Sequence, residues 1–192
     1  MTDHPFHRVI GKLVNDRIIE QNDSLKIEPL KLWQDKACDP TDGQTIALYS
    51  RIADDDSKPV ELCNVDMLIE IGGKAKVIIE IEKANVTPVH IFGKFFVSAF
   101  CDDYKTKGIG PKSFATPALF VQILESREGK RKSLKPRQME RIADSIGDIF
   151  TSRFHARKWE YRLFHGSTED FEKGNKGNEL VSAVRKFLEQ KS

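Results

Sequence analysis

The sequence predicts a mixed α/β domain, a central sheet covered by helices. Three observations predict it. Residues 64–83 alternate apolar and polar side chains in two arms joined by Gly72-Gly73-Lys74, as a β-hairpin does. Stretches with apolar residues at helical spacing stand on both sides of that hairpin. Residues 117–124 are apolar apart from Gln122, which fits a buried strand.

The elements follow in order. Phe6, Val9, Ile10, Leu13, Val14 and Ile18 make one stripe, so residues 5–21 are an amphipathic helix, ended by Asn22-Asp23-Ser24. Residues 25–33 are ambiguous, with a hint of extended chain in Leu25, Ile27 and Pro29. Residues 39–44 are a turn-rich loop, and 45–52 fit either a short strand or a helical turn. Asp54-Asp55-Asp56-Ser57 is a polar turn that lacks the ligand spacing of a calcium loop. After the hairpin, Thr87 and Pro88 supply an N-cap and a first helical residue, and Ile91, Phe92, Phe95, Phe96 and Phe100 give the helix its stripe. Residues 133–150 are a further helix with Met139, Ile142, Ile146 and Ile149 on one side. Residues 158–164 alternate as a strand, and 178–190 close the chain as a helix with Leu180, Val181, Val184, Phe187 and Leu188 inward.

With 192 residues the chain suits one domain with a real core. No apolar run approaches the roughly 18 residues that span a membrane, and the first residues lack the build of a signal peptide. The cytoplasm is therefore the expected location. Cys38, Cys63 and Cys101 match no zinc spacing or disulfide framework and are expected to be inert thiols. A net charge of +2 says little about partners, but its distribution says more. Arg127, Lys130, Arg131, Lys132, Lys135, Arg137 and Arg141 form one basic stretch, and Lys105, Lys107 and Lys112 a second. Such groups either face solvent or face phosphates. No Gly-rich phosphate loop occurs, and Gly108 and Gly110 read as turn residues. His4 and His7 read as a chance pair, His90, His155 and His165 have no recognisable partner, and Trp33 and Trp159 read as core or interface residues.

The chemistry shows in the hairpin. Side chains alternate faces along a strand, so Val65, Met67, Ile69, Ile71, Val77, Ile79 and Ile81 share an apolar face. Odd positions must then pair with odd ones. A three-residue loop at 72–74 does this, setting Glu70 opposite Lys76, Leu68 opposite Ile78, Asp66 opposite Glu80 and Asn64 opposite Glu82. Asp66 facing Glu80 is the anomaly, because like charges across a ladder repel. Leu68 and Ile78 indicate that this face is partly covered, which leaves the repulsion poorly screened. Extra protons or a cation must relieve it, and hard divalent ions favour a few carboxylates with water and phosphate oxygens.

An Asp, a short hairpin, an apolar strand ending in Glu-x-Glu and then a helix resembles the PD-(D/E)XK nuclease superfamily. The matching residues are Val65-Asp66-Met67-Leu68-Ile69 and Val77-Ile78-Ile79-Glu80-Ile81-Glu82-Lys83. The resemblance covers about residues 5–124, the common core, and leaves a further strand and helices over 125–192. It implies a restriction endonuclease-like mixed sheet flanked by helices. It implies Mg2+, with Mn2+ as a substitute, held by Asp66, Glu80 and Glu82. Glu82 stands where the family most often has Lys, so that the lysine's role falls to Glu82 itself, to Lys83 through a bulge, or to Lys94 from the following helix. Glu20 on the first helix is an accessory candidate, with Asp16 nearly as good. The activity implied is a metal-dependent DNA endonuclease, of type II restriction character and homodimeric. A junction resolvase-like repair nuclease and a catalytically inactive DNA-binding module are the alternatives. The basic clusters then become DNA contacts.

Overall fold

The computed structural model describes residues 4–21, 29–50, 60–83, 87–126, 141 and 159–190. The expected helix over 133–150, the acidic turn at 54–57, His155 and the basic stretch from Arg127 to Arg137 lie outside the described residues.

The mixed α/β expectation holds. Helix α1 spans Pro5–Val14 and continues into a π-helical turn, Asn15–Ile19, closed by Glu20 N donating to Asn15 O at 3.0 Å. Among the described residues eight strands follow: β1 Leu30–Gln34, β2 Ile46–Ser50, β3 Val60–Val65, β4 Met67–Ile71, β5 Lys74–Lys83, β6 Asp103–Thr106, β7 Ile109–Glu125 and β8 Trp159–Gly166. Helix α2, Pro88–Ala99, lies between β5 and β6. Helices α3, Thr168–Glu172, and α4, Asn175–Leu188, end the described chain. The described part of the ambiguous stretch 25–33 thus enters strand β1, and that of 45–52 forms strand β2 rather than a helical turn.

The strands divide at β7. Its second half lies parallel between β5 and β8, and β4 and β1 extend that side antiparallel. Its first half pairs with β6, which leads to β2 and then β3. The apolar face read from the odd residues packs as expected except for Val65, which joins the opposite core with Ile46 and Leu48. Met67, Ile69, Val77, Ile79 and Ile81 join Leu119, Val121 and Ile123 beneath α1 and α4. The even face is buried too, with Leu68, Ile78, Phe120 and Leu124 against Ile91, Phe92 and Phe95 of α2. An interior apolar on both faces explains why residues 117–124 show no alternation.

Helix α2 starts where Thr87 and Pro88 place it. The Thr87 side chain accepts from His90 N at 3.4 Å, relieving one of the donors that a helix start leaves unpaired. Thr87→Ala should cost about 0.5–1 kcal/mol. Chemical denaturation checks this, and an unchanged midpoint would show that the long cap bond contributes nothing.

The hairpin corrects one detail. Its turn has two residues, not three: Gly72 and Gly73 both have positive φ (55° and 80°), and Ile71 pairs with Lys74. Two residues with φ > 0 match the right-handed twist of the strands and make the tighter turn the better one. A bulge between Ile69 and Glu70 then restores the expected pairing of Ile69 with Val77 and Leu68 with Ile78. Glu70 consequently sits opposite Ala75 rather than Lys76. Its carboxylate is buried and takes hydrogen bonds from Trp33 Nε1 (3.1 Å), Lys112 Nζ (2.7 Å) and the Tyr104 hydroxyl. Burial alone would push Glu70 up, but the bonds from Lys112, Tyr104 and Trp33 outweigh it and hold the carboxyl below its ordinary range.

Candidate active site

Asp66 lies at a bend between β3 and β4, where the chain passes from one half of the sheet to the other. Val65 pairs with Ile46 on one side of the bend, and Met67 pairs with Gln34 and Ile79 on the other. This corrects the expected register at two positions. The β4–β5 ladder stops at Met67–Ile79, so Asp66 is not a ladder partner of Glu80, and Asn64 pairs with Ala47 instead of facing Glu82. The bend still delivers the carboxylate. Asp66 Oδ2 accepts from Ile81 N at 2.7 Å, and Asp35 N donates to Asp66 O at 2.8 Å, fixing both ends of the residue. Asp66 and Glu80 therefore face each other through their side chains.

Glu80 is wholly buried in the middle of β5. Its Oε2 accepts from Lys94 Nζ at 3.1 Å, while its buried Oε1 has no hydrogen-bond partner among the described residues. Burial first, then the charge of Asp66, pushes the Glu80 carboxyl well above its ordinary value, and Lys94 only partly offsets them. Asp66 is raised as well, chiefly by burial, against the lowering effect of hydrogen bonds with Glu80 and Ile81 N and of the His7 and Lys94 charges. Two close carboxyl groups with little solvent cannot both stay charged without a proton or a cation between them.

Lys94 supplies part of that cation. It sits two turns into α2 and reaches Glu80 Oε2 at 3.1 Å and Glu82 Oε1 at 2.9 Å. Burial would lower its pKa, but Glu80, Glu82 and Asp66 outweigh burial and keep it raised, so the ammonium stays charged. Four residues earlier on the same helix face, His90 Nε2 lies 3.4 Å from Glu82 Oε1. His90 thus has the partner that its sequence position did not reveal. Lys83 is exposed at the end of β5, and the unbroken pairing of Val77–Lys83 with β7 leaves no bulge to turn it toward Glu80. Lys94, not Lys83, is the ammonium beside these carboxylates.

The remaining candidates separate. Glu20 is exposed and accepts from Asn15 Nδ2 at 2.8 Å, and Asp16 accepts from the same amide at 3.4 Å. Lys105 stands 4.4 Å from the centre of the Tyr49 ring, and Lys107 is exposed beside Gly108 in the β6–β7 turn. Lys112 is spent on Glu70. Lys112→Met should therefore cost about 1–3 kcal/mol, because it strips a buried carboxylate of one charged partner while Trp33 and Tyr104 remain. Thermal unfolding reads the loss, and a variant as stable as the parent would show the ion pair to be neutral.

Two features of the site carried no signal in the sequence. A cavity of about 340 Å3 opens beside Asp66 and Lys94, walled by Asp35, Lys36, Thr45 and Asn64. Asp35 Oδ1 takes the backbone amides of Ala37 and Cys38, both at 2.9 Å, so it orders the loop that forms this wall. Cys63 is half-buried on β3. A hydrogen bond with Cys101 lowers its pKa to about 7, against burial, with Ser98 and Lys94 adding to the lowering.

Among the described residues, no three His, Cys, Asp or Glu side chains are gathered as a metal site. Asp66 and Glu80 alone nevertheless fit a hard cation: their oxygen donors face each other, and one of them is buried without a partner. No described helix is long and apolar enough to cross a membrane. Comparison with protein families, curated proteins and solved structures finds no match to the chain.

Proposed function

We propose that this chain is a Mg2+-dependent DNA endonuclease of the PD-(D/E)XK class, in its Glu-x-Glu variant. The observation that carries this reading is the meeting of Asp66, Glu80, Lys94 and Glu82 from a strand bend, a strand centre and a crossing helix. The element order supports it. A leading helix, the meander β1–β4–β5, the crossover α2 and the parallel strands β7 and β8 resemble the arrangement expected of a restriction endonuclease-like core.

In this reading Asp66 and Glu80 hold Mg2+, with Mn2+ as a substitute. Bound there, the ion would lower the pKa of a water and polarise the scissile phosphate. Lys94 neutralises Glu80 and Glu82 and faces the cavity through which a phosphate would approach. Glu82, less buried than Glu80, is the acceptor placed to take a proton from the attacking water. The substrate is double-stranded DNA, cut by a homodimer in the cytoplasm, and the character is that of a type II restriction enzyme. A resolvase-like nuclease remains the second reading within the class.

Supercoiled plasmid incubated with Mg2+ and either the chain or its Glu80→Ala variant tests the assignment. No cleavage by the parent, or equal cleavage by both, refutes it. Discrete fragments from linear duplex mark restriction, and cutting confined to branched DNA marks resolution.

A further inference from the structure

Gln122 is wholly buried on β7 and pairs in register with Glu80 on β5. A buried amide beside a carboxyl with one unpartnered oxygen would be expected to donate to it. Gln122 does not. Its Nε2 donates to Ile91 O at 3.0 Å, and its Oε1 accepts from the Tyr161 hydroxyl at 2.7 Å. Chemistry fixes this orientation. A backbone carbonyl only accepts, so the amide nitrogen must face Ile91, and Tyr161 must then be the donor. Phe92, Phe95 and Phe120 pack around the Tyr161 ring and hold the donor in place.

Ile91 lies in the first turn of α2, three residues before Lys94 and one after His90. The bond from Gln122 is a tie between the strand next to Glu80 and the helix that carries Lys94. We propose that Gln122, anchored by Tyr161, is the positioning residue that sets α2 against β5 so that Lys94 spans Glu80 and Glu82. The role concerns the same centre as the nuclease reading and rests on it only for its effect on catalysis. An amide used this way also leaves Glu80 Oε1 unpaired, which preserves its affinity for a cation.

The test uses the full chain and two variants, Gln122→Met and Tyr161→Phe. Lysines are acylated with a limiting succinimidyl ester, and the rate at Lys94 is followed by peptide mass spectrometry. Lys176, paired with Glu179 on α4, is the internal reference. Both variants are expected to label Lys94 roughly fivefold faster, the factor that follows from losing one net hydrogen bond. Lys176 should be unchanged. An unchanged Lys94 rate in folded Tyr161→Phe or Gln122→Met overturns the proposal. So does a matching rise at Lys176, which would mark general loosening. If Gln122→Met fails to fold, Tyr161→Phe decides alone, because it removes one oxygen and keeps the ring. Labelling needs no DNA, so a chain without cleavage activity refutes the nuclease reading while leaving this test intact. Where cleavage is present, kcat should fall in both variants, and Gln122→Met should add nothing further in a Lys94→Met background.

Discussion

Glu80→Gln is expected to lower Mg2+-dependent plasmid cleavage by at least roughly 10^3-fold, since a metal contributes several kcal/mol to the transition state and each 1.36 kcal/mol is tenfold. The same substitution should raise the thermal midpoint at neutral pH. Glu80 is wholly buried, and burial and Asp66 both oppose its charge. Gln keeps the shape, removes the charge and brings an amide that can donate to Asp66. Lys94 keeps Glu82 at 2.9 Å, so it is not left alone. Activity down with stability up separates a functional carboxylate from a structural one, because a residue kept for packing would lose both. Plasmid nicking and calorimetry on one preparation give the answer. A variant that is both inactive and less stable would mean that the Lys94 ion pair outweighs the repulsion.

How much of this centre the sequence reveals depends on which rule places each residue. Glu80 and Glu82 follow from the period of two along β5, a geometric rule with little freedom. Asp66 follows from the same rule only by compensation. The strand in fact bends at it, yet the carboxylate still arrives, because the Ile81 amide captures it at 2.7 Å. Lys94 could be named but not placed. A helix's position over a sheet is set by tertiary contacts such as Gln122 to Ile91, which no local pattern encodes. The partner of Glu70 is not legible in the sequence because register depends on turn length and bulges, and Gly-Gly permits two turn lengths. The half of the sheet made of β2, β3, β6 and the start of β7 was the least legible. Its strands are short or interrupted, and Gly110, Pro111 and Pro117 break the alternation in β7. Asp35 was invisible for another reason: it acts through its loop, where spacing carries no rule.

Lys94→Met should destabilise the protein by about 3 kcal/mol at about pH 8, and by much less near pH 5. The sign follows from protons. Asp66 and Glu80 both have folded pKa values raised above their unfolded ones. Over the window between those values the folded state binds more protons, so stability falls as pH rises through it. Below the ordinary carboxylate range both states are protonated and the penalty is absent; above the raised values it is fully present. The Lys94 ammonium opposes the penalty, so its removal lifts both carboxyls further and steepens the fall. Mg2+ should do the reverse. If Asp66 and Glu80 hold the ion, the cation replaces the missing positive charge and restores most of the lost stability at the higher pH, with little effect at the lower one. Thermal midpoints of parent and variant, measured across this range with and without Mg2+, give four curves. Convergence of the two Mg2+ curves at high pH is the expected result. Parallel curves that ignore both pH and Mg2+ would mean that neither the proton nor the ion resides between these carboxyls, and would leave Lys94 as a structural tie alone.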